Sequence, residues 1–571
     1  MYLLKYIKSK NIILLVKQYY NKMGVSGYFS WLIKNHPTVV KQLAFLKNNN
    51  TKFKVDNLYL DCNSIVYDTY NKLKFDVLTE SIATSIIKQT IVKIEEYIAI
   101  IQPQSKVIIA FDGVAPVAKL EQQRARRYKS WYIDNMRKQI YNDTKPSAWS
   151  TTSITPGTSF MKELNERISQ HFAGSLTSLS TIHINPIVMY SGSDIAGEGE
   201  HKIFEYIRDN PRIHSKETTV IYGLDADLIM LSINHLPICP QIYLFRETPE
   251  FIKSIDSNLE PNEQYILDIP SLSDAIQKHI LNDAIVVDPI ISRNKIYDYI
   301  FMCFFLGNDF LPHFPAINIR TGGVDKMMNA YKATIKPTEY LTDGKTIIWA
   351  NVRKLVAHLA QLEEEYITNE HKLRYRRENK NPPSNTPDEK WQAFDNMPSN
   401  DREVEQFINP YRPCWQHRYY SSLFKIKKLD ADRIKQVCIN YLSGLEWTMK
   451  YYTNGCPDWR WTYNYNYPPL LSDLLNFIPV FETTFVPIQP AKPVSQLVQL
   501  CYVLPRNSLS LLPPALYNKL LEDKPEWYRL DYEFQWAYCK YFWESHVEME
   551  HIDITELEQY ISNNLHILRN K

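Results

Sequence analysis

Several features that define common protein classes are missing from this chain of 571 residues. Its eight cysteines stand singly, with no CxxC pair, so neither a zinc site nor a disulfide framework is predicted, and a reducing compartment is expected. No apolar run reaches the roughly 20 residues that a membrane-spanning helix needs. Glycine-rich phosphate loops of the Walker or Rossmann kind are absent, and the formal charge of +2 gives no global nucleic-acid signature. Any recognition of nucleic acid must therefore depend on local features.

The amino terminus is the first of these features. Residues 1–22 carry five lysines and no acidic residue. This pattern is compatible with an amphipathic targeting helix, or with an upstream extension that precedes a natural start at Met23. We favour the extension.

From residue 23 to 331 short apolar runs alternate with helical patterns. NLYLD (57–61), KVIIAFD (106–112) and TTVIYGLD (218–225) each read as a buried strand that ends in aspartate, and IATSIIKQTIVKIEEYI (82–98) reads as a helix between them. This alternation predicts an α/β catalytic domain with a mostly parallel central sheet flanked by helices. Ligands bind at the carboxyl ends of such strands, so three strands ending in aspartate predict one acidic site.

The remainder of the chain is predicted to be mainly helical. Residues 332–405 form a helical and linker segment, with a helix at 352–377 followed by the polar, proline-containing stretch ENKNPPSNTPDEK. Residues 406–571 form a second region, rich in Trp, Tyr and Pro, which we expect to brace the acidic site and the path of its ligand.

Seven acidic residues follow apolar runs and form the candidate catalytic and metal site. Two pairs, in GEGE and LDAD, have a spacing of two, which places both side chains on one face of an extended or loop backbone. Carboxylates this close need neutralising, and oxygen ligands without a His or Cys cluster favour two Mg²⁺ or Mn²⁺ ions, as in two-metal nucleases. The alternative, that each acid is a helix cap or a loop residue, suits single positions better than the whole set. The seven are Asp61, Asp112, Glu198, Glu200, Asp225, Asp227 and Asp309.

A basic helix follows the second predicted strand. After Pro116, one helical face carries three cations and an amide: Lys119, Gln123, Arg126 and Arg127. A solvated surface helix would interleave both charge signs. An unbalanced basic face beside an acidic metal site therefore favours a phosphate pocket, and a pocket that holds a terminal phosphate makes a nuclease end-selective.

These motifs resemble the 5′→3′ exoribonucleases of the Xrn type. The resemblance implies a PIN/flap-nuclease-like core with a mainly helical region packed on it. The matching segments occur in family order: MGVSGYFSWLIKNHP (23–37), LYLDCNSIVY (58–67), AFDGVAPVAKLEQQRARRY (110–128), ITPGTSFM (154–161), SDIAGEGEHKI (193–203), YGLDADLIML (222–231), FFLGNDFLPHFP (304–315), and stretches of 450–474 and 496–514.

The resemblance also implies residue roles. The seven acids would bind two Mg²⁺, and the four residues of the basic face would hold a 5′-monophosphate while excluding caps and triphosphates. Single-stranded RNA would be degraded processively to mononucleotides. Tyr67 replaces a His that stacks on the first base, and by resemblance a Trp pairs with it; we choose Trp461 over Trp459.

Other positions depart from the family pattern. Ser26 stands where the family usually has Pro, Val117 where it has Arg, and Asn466 where it has His. The chain also lacks the long carboxyl-terminal extension and the zinc knuckle of some members, so a minimal catalytic core, viral in origin as one option, is expected.

The segment WRWTYNYNY (459–467) alternates aromatic and polar residues. Its aromatic face is either a stacking wall for RNA bases or, for the tyrosines above all, part of the core.

The predicted function is therefore exoribonucleolytic RNA decay, in particular of mRNA. The alternatives are a flap-type 5′ DNA nuclease and a catalytically inactive RNA-binding scaffold; no metal ligand is lost, which disfavours the scaffold. We expect a monomer in the cytoplasm, with the nucleus or a viral particle as other locations. A decapping enzyme is the expected functional partner, because it generates 5′-monophosphate ends.

Overall fold

The computed structural model describes residues 27–44, 53–73, 80–144, 149–177, 186–223, 225–247, 259–260, 263–281, 288–427 and 430–569. The predictions for residues 1–22, Met23 and Ser26 lie outside these ranges.

Within the described residues, a seven-stranded sheet forms the centre of the first half of the chain. Its order is β1-β7-β6-β5-β2-β3-β4, in which the five strands from β6 to β4 run parallel and β7 pairs antiparallel with both β6 and β1. The predicted mostly parallel α/β fold is confirmed. The strands are β1 (Val40–Gln42), β2 (Asn57–Asp61), β3 (Lys106–Ala110), β4 (Ile187–Ser191), β5 (Thr219–Tyr222), β6 (Ile242–Glu247) and β7 (Gln264–Asp268).

The three strands predicted to end in aspartate are neighbours in this sheet. In β2, Leu58, Tyr59 and Leu60 are fully buried, because the sheet is covered on both faces. The parallel register pairs Asp61 with Ala110, so the carboxyl ends of β2 and β3 lie side by side. Two of these strands end earlier than predicted, and their aspartates lie in the loops that follow.

Helices cover both faces of the sheet. The helix predicted over 82–98 is confirmed, and Ser81 begins it by accepting a hydrogen bond from the Thr84 amide at 3.1 Å. The helices of this half are α1 (Tyr28–Asn35), α2 (Asn63–Lys72), α3 (Ile82–Ile101), α4 (Val117–Tyr141), α5 (Ser159–Thr177), α6 (Gly199–Asp209), α7 (Pro211–His214), α8 (Asp227–Asn234), α9 (Ile269–Leu281), α10 (Pro289–Phe304) and α11 (Gly323–Thr334).

The second half is mainly helical, as predicted. The helix predicted at 352–377 is confirmed, but the linker after it is shorter than expected, because a capping box between Thr386 and Glu389 starts a helix inside it. The elements are α12 (Trp349–Arg377), α13 (Pro387–Asp395), α14 (Met397–Asn400), α15 (Glu403–Ile408), α16 (Trp415–Leu423), α17 (Ala431–Asn454), α18 (Leu471–Phe477), α19 (Gln496–Val503), α20 (Pro514–Asp523), α21 (Ile554–Arg569) and the hairpin β8 (Phe534–Gln535) and β9 (His546–Val547).

One hydrophobic core joins the two halves. Helix α17 packs against α8 and α10 and buries Tyr441, Leu445 and Trp447 in a cluster that also contains residues of the sheet. The helical region therefore packs directly on the sheet domain, as predicted. The division of the chain at residues 22, 331 and 405 stays a prediction. No helix among the described residues is long and apolar enough to cross a membrane.

Candidate active site

The predicted acids gather where the central parallel strands end. Asp61 is the last residue of β2, whereas Asp112 and Asp225 follow β3 and β5 in loops. Asn63 joins two of these loops: its Nδ2 donates to Asp112 Oδ2 at 2.6 Å, and its Oδ1 accepts from the Asp112 amide at 3.1 Å. The sheet therefore sets the position of this half of the site.

The GEGE segment brings two more carboxylates to the same place. Glu198 immediately precedes α6, and Glu200 lies in the first turn of that helix. Gly197 has φ +106°, which favours glycine. At Gly199 a Cβ atom would lie 2.6 Å from Asp61 Oδ1, and its amide donates to Asp112 Oδ1 at 2.7 Å. The two glycines thus allow the helix start to approach the strand ends.

The two pairs differ from their predicted backbone. We expected each pair to lie in extended or loop backbone, but each crosses the start of a helix: Asp225 lies in a loop and Asp227 begins α8. The members of each pair still lie close enough to repel each other. The charge of Glu198 raises the pKa of Glu200, and that of Asp225 raises the pKa of Asp227.

Lys119 links the acids to the basic helix. Its ammonium lies 2.6 Å from Glu198 Oε1 and 2.6 Å from Asp309 Oδ2. Burial lowers the pKa of this lysine, but the carboxylates, those of Asp309 and Glu198 first, outweigh burial and raise the pKa well above its ordinary value. The lysine therefore stays charged and offsets part of the negative charge.

Two tyrosines of the helical region hold these carboxylates, and sequence reasoning missed them. The Tyr451 hydroxyl donates to Glu198 Oε2 at 2.7 Å, and Tyr452 hydrogen-bonds to Asp227. Both follow Lys450 within the segment 450–474 that resembles the family, so the resemblance could have drawn attention to them. Through these two tyrosines the helical region contacts the acidic centre directly.

The carboxylates lie in an environment that opposes their charge. Burial, then repulsion by neighbouring acids, raises the pKa of Asp61 well above its ordinary value. Burial likewise raises the pKa of Glu200 and Asp227, and raises that of Asp225 to about 6. One buried oxygen of each of Asp61, Glu200 and Asp227 has no hydrogen-bond partner. Such a cluster favours binding a cation.

These donors fit Mg²⁺ or Mn²⁺ in type, since they are oxygens with unsatisfied lone pairs. In the described part of the chain, however, no three His, Cys, Asp or Glu side chains are already grouped so that they could hold a metal ion.

The basic face and most of the acids line one cavity of about 70 Å³. Its walls also contain Tyr67, Asn63 and Pro156. Asp309 reaches this group through Lys119 and lines a neighbouring groove of about 840 Å³, which Arg126 lines as well. The predicted site residues that line the small cavity are Asp61, Asp112, Glu198, Glu200, Asp225, Lys119, Gln123, Arg126, Arg127 and Tyr67.

Other cations of α4 hold the structure together. Arg124 donates to the carbonyls of Glu550 at 2.7 Å and Trp527 at 3.2 Å, and Lys129 donates to that of Ser545 at 2.5 Å. Some of the positive charge of α4 therefore has a structural role, because Arg124 and Lys129 bind the carboxyl-terminal segment to this helix. His201 and Lys202, which follow the GEGE segment, support the fold: Lys202 donates to two backbone carbonyls at 2.8 Å, and His201 stacks on Tyr451.

The predicted pairing of Trp461 with Tyr67 has no counterpart in the small cavity, which Tyr67 lines and Trp461 does not. The Trp461 ring stacks on Trp447 at 5.1 Å, and its Nε1 donates to Ser443 at 3.0 Å.

The aromatic segment 459–467 is not a strand, and its tyrosines are buried or partly buried. Tyr463 and Tyr467 are buried, and the Tyr463 hydroxyl donates to the Tyr467 carbonyl at 2.7 Å. For these two tyrosines the core interpretation is therefore correct.

Comparisons with known proteins agree with this architecture. Residues 23–248 match the family model of the XRN 5′-3′ exonuclease N-terminus, and residues 291–410 and 385–570 match that of the Xrn1 helical domain. The chain is 25% identical to 5′-3′ exoribonuclease 2 of Arabidopsis thaliana, over 91% of this chain and 65% of the relative. It is 26% identical to the 5′-3′ exoribonuclease 2 homolog of Drosophila melanogaster, over 93% and 70%.

A second type of relative matches as well. The chain is 28% identical to human 5′-3′ exoribonuclease 1, over 96% of this chain but only 34% of the relative. It thus spans about two thirds of the first type and one third of the second. Together the two family models cover the sheet domain and the helical region in the order in which they occur here. The chain belongs to the Xrn family of 5′-3′ exoribonucleases.

Proposed function

We propose that this protein processively degrades single-stranded RNA that bears a 5′-monophosphate, and releases mononucleotides by hydrolysis that depends on two divalent metal ions. One observation carries the proposal: five of the seven predicted acids and the basic face of α4 line the same small cavity. A terminal phosphate bound by the basic face of this cavity would be held at a fixed distance from the acids.

The cationic side of the cavity supports selection of the 5′ end. Arg126 and Arg127 are suited to hold phosphate oxygens through paired N–H groups, and Gln123 adds an amide beside them. The exclusion of triphosphates and caps is what the family resemblance implies for this pocket. Tyr67 lies in the same wall, where its ring can stack on the first base.

The acidic side supports hydrolysis. When bound, two Mg²⁺ or Mn²⁺ ions would supply activation of water and stabilisation of the leaving oxygen. The seven carboxylates predicted from the sequence would hold them. Lys119 keeps Glu198 and Asp309 in place, and Tyr451 fixes the second oxygen of Glu198, so the donors are oriented before substrate arrives.

The requirement for a 5′-monophosphate suggests the biological setting. RNA made by transcription begins with a triphosphate or carries a cap, so an enzyme that removes the cap must act first. We therefore propose a role in mRNA decay in the cytoplasm, as a monomer, downstream of a decapping enzyme.

Two substrates test this proposal against its alternatives. The parent protein is incubated with Mg²⁺ and either 5′-phosphorylated single-stranded RNA or a DNA flap. We expect RNA to be degraded from its 5′ end and the flap to remain; exclusive cutting of the flap would refute the proposal. Glu200→Gln should abolish RNA degradation, whereas the exposed control Glu166→Gln should retain it. Binding of RNA without any degradation by the parent would favour the scaffold.

A further inference from the structure

Three exposed aromatic side chains lie where the end of α12 meets α15 and the loop after it. Tyr375 is 63% exposed, Phe407 57% and Tyr411 60%. None of them lines the cavity of the candidate active site. Large aromatic residues exposed to this extent in one place mark a surface that contacts another molecule.

Tertiary contacts connect the segments that carry the three rings. The ring of Tyr411 lies 5.7 Å from that of His371, which precedes Tyr375 by one helical turn. About one turn after Tyr375, Glu378 accepts a hydrogen bond at 2.9 Å from Gln406, the neighbour of Phe407. Contacts on both sides of Tyr375 thus bring the segments that carry Phe407 and Tyr411 to the end of α12.

One arginine fixes the loop that presents two of these rings. The Arg418 guanidinium donates five hydrogen bonds to backbone carbonyls, at distances of 2.8–3.1 Å. The loop contains Asn409 at φ +38° and ends at Cys414 at φ +61°, backbone conformations that residues other than glycine rarely adopt. The accepting carbonyls are those of Phe407, Ile408, Asn409, Arg412 and Pro413.

A buried ion network fixes the base of the same surface. Arg374 Nη2 lies 2.7 Å from Glu405 Oε1, and Arg402 Nε lies 2.7 Å from Glu405 Oε2, which ties α12 to α15. The backbone that carries the aromatic side chains is therefore held in place, and less backbone entropy is lost when they bind a ligand.

The charge around the rings indicates the chemistry of that ligand. Within 372–380 and 401–414, the exposed acids are Asp401 and Glu403 only. Exposed cations outnumber them, and arginine and lysine beside stacking rings are typical of surfaces that bind single-stranded nucleic acid. The exposed cations are Lys372, Arg376, Arg377, Lys380 and Arg412.

We propose that this surface, the aromatic–basic patch of Tyr375, Phe407, Tyr411 and the five cations, binds single-stranded RNA on the 3′ side of the nucleotides held in the active site. The inference rests on the proposed function for its substrate. Helix α16 begins just after the patch, and its end, Leu423, lines the large groove that Asp309 also lines. Its nine residues span about 14 Å, a short path for a polynucleotide.

Binding of long and short RNA tests the proposal without cleavage. Fluorescence anisotropy in EDTA measures the affinity for 5′-phosphorylated RNAs of about 25 and about 4 nucleotides, the shorter being near the lower site size of single-strand-binding folds. Phe407→Ala/Tyr411→Ala should weaken binding of the long RNA at least about tenfold and leave the short RNA unchanged. Phe481→Ala, at a side chain 72% exposed elsewhere, is the matched control and should change neither.

A second variant protects the test against misfolding. Arg376→Ala/Arg377→Ala removes charge but no packing, and should weaken binding of the long RNA and reduce its dependence on salt. Melting temperatures equal to that of the parent show that each variant is folded. If both double variants bind long RNA as tightly as the parent, the patch serves another partner, such as a protein, and the inference is wrong.

Failure of the proposed function has a different signature. Patch variants should cleave the short RNA at the parental rate, because the active-site cavity is untouched. If the parent cleaves no RNA but the patch variants bind long RNA more weakly than the parent does, the proposed function is wrong and the inference about the patch stands.

Discussion

Removing one charge from the acidic cluster should stabilise the protein when divalent ions are absent. Asp225 is the best position, because burial raises its pKa from 3.8 to about 6, with Lys119 opposing and Asp309 adding to the effect. Asp225→Asn keeps the shape of the side chain and removes the charge. We expect the variant to be more stable than the parent at neutral pH.

The size of the effect follows from that pKa. An acid whose pKa is raised by folding binds its proton more tightly in the folded chain, so its contribution to stability falls as pH rises from about 4 to about 6 and stays low above that. The rise in the pKa of Asp225 from 3.8 to about 6 corresponds to about 3 kcal/mol of folding free energy, at about 1.36 kcal/mol per pKa unit. Asp225 keeps some solvent contact, so we expect about 1–3 kcal/mol.

Thermal unfolding in EDTA measures this effect. For a chain of this length, 1–3 kcal/mol corresponds to a rise in Tm of about 1–2.5 °C at pH 7.5. The rise should disappear near pH 4, where the parental carboxyl is protonated. Addition of Mg²⁺ should raise the Tm of the parent more than that of the variant. Asp274→Asn, at an exposed acid, is the control and should show no rise.

The reasoning is wrong if Asp225→Asn is less stable than the parent at pH 7.5 in EDTA. It is also wrong if the gain is the same at pH 4, since the gain would then not depend on the charge of the carboxylate.

Three further substitutions test individual contacts. Arg127→Ala should reduce the preference for 5′-monophosphate over 5′-hydroxyl RNA about 10-fold or more, measured as kcat/KM, and an unchanged preference would remove Arg127 from the phosphate pocket. Tyr67→Ala should raise KM about 5- to 100-fold through lost stacking, whereas Tyr67→His should retain binding; equal losses in both would contradict a stacking role. Trp461→Ala should lower the free energy of unfolding by about 2–4 kcal/mol in urea titrations, because the Trp461 ring packs on Trp447. A free energy of unfolding equal to that of the parent would contradict this packing role.

The sequence was sufficient to predict the sheet domain, because its signals are local. Buried strands such as 57–61 read as apolar runs, and α4 begins at Val117, directly after the Pro116 that marked its start. Parallel strands bring their carboxyl ends to one edge, so the convergence of Asp61, Asp112 and Asp225 followed from fold class alone.

Contacts between distant segments could not be predicted in this way. Nothing local indicates that Tyr451 donates to Glu198 or that Lys119 lies between two carboxylates, since each contact joins residues far apart in sequence. Val117, which departs from the family pattern, is buried in an apolar cluster with Val498 of the second region. The packing of Trp461 on Trp447 of α17 could not be predicted for the same reason, because tertiary structure sets this contact.

The preference for the 5′ end of RNA tests the central claim most directly. Decay of two RNAs that differ only in a 5′-monophosphate or a 5′-triphosphate is measured with Mg²⁺, with Glu200→Gln as the inactive control. If the acids and the basic face form one site, the monophosphate RNA is degraded and the triphosphate RNA persists. Equal rates for the two RNAs would contradict the account.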